Sequence, residues 1–467
     1  MDIFKKNLIH NNNIPVKEDK ICDSDFEKII EAGRWAPSPF NSQPWEYLLM
    51  EDKSLKEKVF EFIKQSDNKI NIEKNGKIIL KSSKTLIILY NTTRMDPGKN
   101  ANTLGFICLG AFLSNIHLTS AALNIKIESE YFSLQTKKIK NNLKQLFKIP
   151  EHIEIIMILG MWYIDNAYTY DFTIENFSEI ISTNIYKDRY PTQYQFKNIE
   201  QNTYVVDDVL SLIERRKSYR KKFLQEDISP EHESALLKSA LYVPSFSSEN
   251  KLAWKLILLK DYNIRNKMAD LIQKNANEMY MDDRYFSKMK EWISFSDKDI
   301  NSRKDGIFIH MFLKYLNILF ELGIKTMDIS FFNFLKKIMV KNFSRAFFHD
   351  LVLTSPVLIG IIHDSRDIQN TKEEYQINLI SIGAALQNIL LSSTSMGIGA
   401  QFLSILFDTE ESKQKVINEL NLPAYFDIVD MIRIGYIDTD AYPPQYLTVQ
   451  SNVRIPSNKI FHENYYK

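Results

Sequence analysis

The sequence predicts an α+β protein built from two similar units, each a sheet layered with helices. Short blocks of sequence occur twice in the same order along the chain, which indicates an internal duplication. Apolar runs of strand length alternate with helical patterns in both halves, and each half holds one long helix that is apolar on all sides. Elements in that order are typical of a layered fold.

The sharpest repeat compares Gly110–Leu118 with Gly383–Leu391, where six of nine residues are identical at an offset of 273. The segment Ala36–Ser38 corresponds to Val243–Ser245, which stands 207 residues later. The strand that follows this segment is repeated at an offset of 209 residues. The offset therefore grows from 209 to 273, which places 64 extra residues in the second copy. This insert runs roughly from 281 to 345.

Periodicity predicts the same series of elements in each copy. A helix precedes a loop and a strand, a second helix and an apolar strand follow, and a long helix leads to the last strand. The long helices lack a polar face, which predicts that they are buried. The predicted ranges, first copy and then second, are helix 25–35 and 231–241, strand 46–50 and 255–259, strand 85–89 and 357–361, long helix 103–123 and 375–396, and last strand 155–161 and 428–435.

These patterns divide the chain into a first domain at 1–164, a linker at 165–206 and a second domain at 207–467. The linker is rich in Tyr, Asn, Thr and Asp with little periodicity, and is expected to run over the surface. The insert is amphipathic in its second half. It is either a lid that shapes an apolar substrate pocket or a helical pair that extends the core.

Composition narrows the class of protein. Lysine and arginine total 59 against 58 acidic residues, a net charge of +1 that argues against nucleic-acid binding. Two cysteines cannot form a disulfide framework or a thiolate metal site, and a reducing compartment is expected. The first residues resemble no secretory leader, and apolar runs such as 153–164 are too short to span a bilayer. We therefore expect a cytoplasmic protein that binds neither nucleic acid nor membrane.

Two segments carry candidate chemistry. Residues 215–223 contain six cations and Ser218, a combination suited to a phosphate because guanidinium groups match its oxygens in pairs. An exposed basic helix end is the alternative. Residues 36–45 form a polar loop with three prolines that could border a planar ligand, or could simply connect a helix to a strand.

Together these motifs resemble the FMN-dependent nitroreductase superfamily. The resemblance consists of R-x-S-x-R-x-x-F, P-S-x-x-N-x-Q-P-W, the buried G-A-x-x-x-N-x-x-L helix, a strand ending in I-G-Y and a late R-x-P, and it covers both copies. It implies two domains, each with a mixed, mostly antiparallel sheet flanked by helices. It also implies that the copies pack as a pseudo-dimer around the two long helices, with FMN bound between them.

The two copies have lost complementary motifs. The first keeps its loop at 37–45 but has no R-x-S-x-R before it, whereas the second keeps the arginines but lacks Q-P-W after Pro244. In the superfamily one subunit supplies the phosphate ligands and its partner supplies the loop that borders the flavin ring. The intact motifs therefore belong to one site, and we expect one working pocket and one that has lost its ligands.

The resemblance assigns roles to individual residues. The phosphate would be bound by Arg216, Ser218, Arg220 and Arg454, and the ring would be bordered by Pro37, Ser38, Pro39, Phe40, Asn41 and Gln43. Backbone amides of Gly399, Ala400 and Gln401 would reach the N5 edge, although a helix C-terminal cap at the glycines is an equal alternative. No metal and no protein nucleophile are expected, because the chemistry would be the flavin's own.

The predicted function is an FMN-dependent oxidoreductase that transfers hydride through flavin N5, with NAD(P)H as co-substrate and a small-molecule substrate. Two alternatives remain open at this stage. One is a dehydrogenase of the same superfamily that modifies a peptide or carrier-bound intermediate, and the other is a protein that binds and sequesters FMN without turnover. An intramolecular pseudo-dimer is expected, and whether it associates further is left open.

Overall fold

The computed structural model describes residues 3–4, 15–17, 19–65, 71–94, 101–131, 134–164, 181–184, 206–220, 222–243, 254–281, 337–338, 340–342, 344–366, 371–438, 454–455 and 457–466. Most of the predicted linker and most of the predicted insert lie outside these ranges. So do the second-copy loop at 244–250 and the side chain of Phe40.

Two five-stranded sheets form the framework. The first has the order β10-β1-β2-β4-β3 and the second has the order β5-β6-β7-β9-β8. Only the pairs β10–β1 and β5–β6 are parallel, so both sheets are mixed and mostly antiparallel, as the resemblance implies. The strands are β1 (Trp45–Leu49), β2 (Lys84–Asn91), β3 (Ile125–Glu130), β4 (Ile153–Tyr163), β5 (Ile181–Thr183), β6 (Trp254–Leu259), β7 (Val357–Asp364), β8 (Ile398–Phe402), β9 (Phe426–Tyr436) and β10 (Phe461–Glu463).

Helices cover both sheets. Those of ten residues or more are α1 (Asp23–Arg34), α2 (Lys53–Lys64), α3 (Ala101–Ala122), α4 (Lys137–Phe147), α5 (Val206–Arg215), α6 (Pro230–Leu241), α7 (Tyr262–Met281), α8 (Lys372–Ser395) and α9 (Glu410–Glu419). Two shorter helices, Ile72–Gly76 and Asp350–Leu353, precede the strands β2 and β7. Asp52, Thr136, Ser229, Thr371 and Thr409 each begin a helix by accepting a hydrogen bond from its first turn.

The duplication extends to fine detail. Both sheets carry a bulge at the same point: Ile156 in β4 is the extra residue opposite the Ile88–Leu89 step, and Val429 in β9 is the extra residue opposite the Ile361–Ile362 step. These positions are 273 residues apart, like the helix repeat. The two copies therefore share a register that short sequence blocks alone do not establish.

Each sheet is completed by a strand that follows the other copy in the chain. Strand β5 lies within the predicted linker and pairs with β6, while β10 ends the predicted second domain and pairs with β1. Asn184 and Asn464 directly follow these strands and have left-handed backbone conformations. The Oδ1 of each accepts hydrogen bonds from two backbone amides of the copy whose sheet the strand joins. The predicted domain boundaries at 164 and 206 stay predictions, but each sheet includes one strand from outside the domain predicted for it.

The two long helices form the central layer. By length and composition α3 and α8 could each cross a membrane, yet their apolar segments are almost entirely buried inside the protein. They cross at Gly110 and Gly383. A Cβ on Gly110 would overlap the carbonyl oxygen of Ile380, and one on Gly383 would overlap that of Ile107, so the two backbones are in direct contact.

Buried polar side chains fix the register of this crossing. Gln387 donates to the Oδ1 of Asn115 (2.7 Å), and Ser114 donates to the Oδ1 of Asn388 (2.8 Å). Asn115 and Asn388 also donate to the carbonyls of Ala32 and of Ser239 and Tyr242, which end the helices α1 and α6. The network therefore ties each long helix to the other and to its own domain.

The sequence interpretation misses several elements. Strands β3 and β8, which follow the long helices directly, were not predicted, and the segment containing Gly397 and Gly399 was expected either to offer backbone amides to the flavin or to cap the helix. Gly397 does end α8 with a φ of 68°, as a helix cap requires, whereas Gly399 lies within β8. Helices α4, α5 and α9 were also not predicted.

Replacing Gly383 with alanine should separate the two long helices. The added methyl group meets backbone atoms that cannot rotate away, so we expect a loss of about 3 kcal/mol in the free energy of unfolding, measured by urea denaturation. Gly76→Ala is the control, because its Cβ would meet only the edge of the half-buried Phe60 ring, at 3.2 Å. Equal losses in the two variants would contradict the proposed crossing constraint.

Candidate functional site

A cavity of about 1200 Å³, including its opening to solvent, lies between the two copies. The first copy contributes the loop 37–39 and one face of α3. The second contributes Ser218, Arg220, the segment 401–405 and Asp430. Apolar side chains supply most of the wall on the α3 side, and polar groups gather on the other, a combination typical of a ligand site.

The segment that carries Ser218 is held against strand β8. Ser218 pairs with Ala400 in a parallel bridge, and the amide of Tyr219 donates to the carbonyl of Ala400 (2.8 Å). The rings of Tyr219 and Phe223 stack with centroids 5.1 Å apart and lie directly on Gly399. A side chain at Gly399 would collide with both rings, so this glycine is needed for packing.

Arg433 also holds the segment that carries Ser218 in place. Its guanidinium donates to the carbonyls of Tyr219 (2.9 Å) and Leu351 (2.8 Å) and to the Oε1 of Gln401 (2.7 Å). It also lies over the ring of Phe223, 4.5 Å from its centroid. Burial lowers the pKa of Arg433 to about 9. One buried cation therefore positions both the Ser218 segment and a side chain of the cavity wall.

Arginines from distant parts of the chain converge beside the cavity. Arg216 is only 6% exposed, and burial together with neighbouring Arg220 lowers its pKa to about 10. Burial, with Arg216 and Arg34 nearby, lowers the pKa of Arg454 to about 9. The Nε of Arg216 has no hydrogen-bond partner within the described part of the chain. A buried cluster of like charges is costly, and an anion would relieve it.

Arg454 connects this cluster to the loop of the first copy. Its guanidinium donates to the Oδ1 of Asn41 and to the carbonyl of Trp35 (3.4 Å each), and it lies over the Trp35 ring at 4.6 Å. The structure therefore brings together, across a separation of more than 400 residues, the two segments that the sequence assigns to one site. The sequence interpretation requires these two segments to lie close together, and they do.

The loop of the first copy is braced from within. Asn41 and Gln43 both adopt left-handed backbone conformations, with φ of 58° and 45°. The Oγ of Ser38 accepts a hydrogen bond from the amide of Gln43 (3.0 Å), and the Oε1 of Gln43 accepts one from the amide of Ile455 (3.0 Å). Gln43 is fully buried, so its side chain holds the loop and the C-terminal segment together.

The predicted residues therefore fall into three groups. Pro37, Ser38, Pro39, Ser218, Arg220 and Gln401 line the cavity. Arg216 and Arg454, together with Arg220 of the cavity wall, form the adjoining cationic corner, and Asn41 accepts a hydrogen bond from Arg454. Gln43, Gly399 and Ala400 are not among the lining residues and make the packing and backbone contacts described above. Direct contact of any of them with a cofactor stays a prediction.

Asp430 is a site residue that the sequence interpretation missed. It lies in β9, is fully buried and lines the cavity. Its Oδ2 accepts a hydrogen bond from the Oγ of Ser404 (2.9 Å), and its Oδ1 accepts one from the amide of Met431 (2.7 Å). Burial raises its pKa to about 7. A carboxylate in the middle of an apolar strand was the available signal, since the first copy has Met157 there.

The first copy has different residues at the positions equivalent to this wall. Tyr131 stands 273 residues before Ser404, is buried, and donates to the carbonyl of Glu373 (3.1 Å). Glu128 stands at the position of Gln401 and pairs with Lys126 (2.7 Å) and Lys77 (2.9 Å). Lys126 stands at the position of Gly399. A buried tyrosine and an ion-paired glutamate therefore replace the serine and the glutamine of the cavity wall.

The fold and the cavity define a fused pair of α+β units with one ligand site built from both. Residues 15–161 and 213–436 match the model of the Nitroreductase family, which covers well over half of the chain. The chain belongs to the Nitroreductase family.

Individual relatives match shorter parts. A protein of Haemophilus influenzae named "Putative NAD(P)H nitroreductase" is 47% identical over 53 residues, which are 10% of this chain and 24% of that protein. One of Staphylococcus haemolyticus with the same description is 35% identical over 63 residues, 14% of this chain and 29% of its own. The chain thus spans about a quarter of the length of these curated relatives.

Solved structures show similarity at low identity. The NADPH:FMN oxidoreductase from Vibrio harveyi complexed with NAD+ is 13% identical, with a TM-score of 0.32, and the match covers 46% of this chain and 84% of that one. A nitroreductase A from Vibrio parahaemolyticus is 14% identical, with a TM-score of 0.32, covering 45% and 82%.

The pKa of Asp430 predicts a pH-dependent stability. An unfolded aspartate has a pKa of about 3.9, so between about pH 4 and pH 7 the unfolded chain releases a proton that the folded chain retains. The wild type should lose up to about 4 kcal/mol relative to Asp430→Asn as the pH rises through this range. Urea denaturation at a series of pH values measures the difference.

Glu57→Gln removes an exposed carboxylate from α2 and serves as the control. Its stability should follow that of the wild type at every pH. Parallel pH profiles for the wild type and Asp430→Asn would show that the carboxyl of Asp430 titrates normally in the folded protein.

Proposed function

We propose that this protein is an FMN-dependent oxidoreductase with one composite flavin site per chain, which transfers hydride between NAD(P)H and a small-molecule acceptor. One observation carries the proposal. The cationic corner formed by Arg216, Arg220 and Arg454 adjoins the polar loop of the other copy at a single cavity.

The residues present fit the phosphate end of FMN. A phosphate monoester carries nearly two negative charges and several strong acceptors, which guanidinium groups bind in pairs. Arg216 and Arg454 are held in the protein at the cost of desolvation, and a dianion would offset that cost. Ser218 lines the cavity nearby and could donate a hydrogen bond to the same group.

The remaining walls suit a flat aromatic ring. Leu104, Ile107 and Ala111 present an apolar face of α3, Pro37 and Pro39 form a stiff edge, and the segment 401–405 adds the polar residues Gln401 and Ser404 among apolar ones. When bound, the flavin accepts hydride at N5 and passes it on, and this chain's residues determine what reaches the ring. The names of the family and of its relatives support an oxidoreductase that uses NAD(P)H.

The proposal also accounts for the difference between the two copies. Tyr131 replaces Ser404 of the cavity wall, and Glu128, which pairs with Lys126, replaces Gln401; these differences support a stoichiometry of one FMN per chain. We further propose that the fused pair works in the cytoplasm without a second chain.

Arg216→Met tests the site through two opposite effects. Loss of a charge-assisted contact should raise the Kd for FMN about 10-fold to 100-fold, measured by titration of flavin fluorescence. The protein without flavin should become more stable to heat, because methionine carries no buried charge. The wild type should bind one FMN per chain and be yellow.

Arg215→Met is the matched control. Arg215 is the exposed neighbour at the end of α5, and its loss should change neither FMN affinity nor melting temperature appreciably. A wild type that remains colourless after incubation with FMN would refute the proposed function.

A further inference from the structure

The buried carboxyl of Asp430 occupies an unusual place in the sheet. The bulge in β9 leaves Val429 unpaired, so that Asp430 lies opposite Ile361 in the ladder. Ile361 belongs to the apolar core around α3 and α8, and residues opposite each other in a ladder share a face. The bulge therefore directs the carboxyl towards the cavity, a role that bulges often serve beside active sites.

The groups around Asp430 leave it without a cationic partner among the described residues. Arg433 lies further along β9, opposite Leu358, and so faces the other side of the sheet. Lys413 and His363 flank Asp427, near the start of the strand.

The cavity itself presents two other charged groups. Arg220 and Asp408 both contribute to its wall, and no ion pair joins either of them to Asp430 in the described structure. The carboxyl of Asp430 is instead held by two neutral donors, the hydroxyl of Ser404 and the amide of Met431.

Hydride transfer to a neutral two-electron acceptor also requires a proton. We propose that Asp430 is the proton donor of this cavity and that Ser404 positions its carboxyl. The inference rests on the proposed function and deepens it, because it identifies an acidic residue that the sequence motifs do not include.

The step balances for a quinone, which becomes a hydroquinone by gaining one hydride and one proton. The hydride and its electron pair are the contribution of the reduced flavin, itself reduced by NAD(P)H. The O–H bond of the Asp430 carboxyl breaks, and its proton forms an O–H bond on the quinone oxygen. Asp430 is left as a carboxylate and takes a proton from water before the next turnover.

Asp430→Asn keeps the shape of the side chain and removes the proton. In stopped-flow measurements, reduction of bound FMN by NADPH or NADH should change by less than about threefold. Reoxidation by menadione should slow about 100-fold, within the range of general acid catalysis. In the wild type the menadione rate should fall as the pH rises through about 7, and the variant should lose this dependence.

Asp427→Asn is the control on the same strand, since Asp427 is absent from the cavity wall and pairs with Lys413. Its menadione rate and pH profile should match those of the wild type. Ser404→Ala provides a second test that does not depend on the folding of Asp430→Asn. It should slow reoxidation about 10-fold and shift the pH at which the rate falls. An unchanged profile in Ser404→Ala or an unchanged rate in Asp430→Asn would overturn the inference.

Infrared spectroscopy of the flavin-free protein separates this inference from the proposed function. The wild type should show a protonated carboxyl band that disappears as the pH rises through about 7, and Asp430→Asn should lack it. Failure of the wild type to bind FMN would refute the proposed function and the donor role with it. Wild type that binds and reduces FMN but shows no such band would refute the donor role alone.

Discussion

The direct contact between the backbones of α3 and α8 at Gly110 and Gly383 is the constraint on which the molecule depends. Carbonyl oxygens of Ile107 and Ile380 occupy the space where side chains would otherwise lie. Such close approach leaves the two helices one relative position, because side chains can repack and backbones cannot. The two sheets are attached to these helices, so their relation to each other is fixed as well.

The cavity is a consequence of this crossing. Gly383 forms part of its wall, and the adjoining face of α3 forms the apolar side. The exchanged strands β5 and β10 strengthen the same arrangement, since each domain completes the sheet of the other. The C-terminal segment that leads into β10 also carries Arg454 to the loop of the first copy. Folding of the pair and assembly of the site are therefore one event.

Duplication permits the two halves to diverge. In a symmetric dimer a change at one site alters both, whereas a fused chain can change them separately. Here Ser404 and Gln401 line the cavity, whereas the first copy has the buried Tyr131 and the ion-paired Glu128 at the equivalent positions. A carboxyl at Asp430 replaces Met157, which gives the open site a polar group that its counterpart lacks.

Much of this was predictable from the sequence, because repeats and apolar periodicity are local properties. The long helices, the strands β2 and β9, the family and the approach of Arg454 to the loop at 37–41 all follow from motifs that can be read along the chain. Strands β3 and β8 were missed because each directly follows a long helix, and the three-residue strands β5 and β10 are too short to show periodicity.

What the sequence by itself determined is the duplication, the layered class and the family, since these depend on residue order alone. The tertiary structure alone decided that Gly399 packs under aromatic rings, that Gln43 braces the C-terminal segment, and that Asp430 faces the cavity. Each of these depends on contacts between residues far apart in the chain. Burial and pKa are properties of such contacts, and no local pattern encodes them.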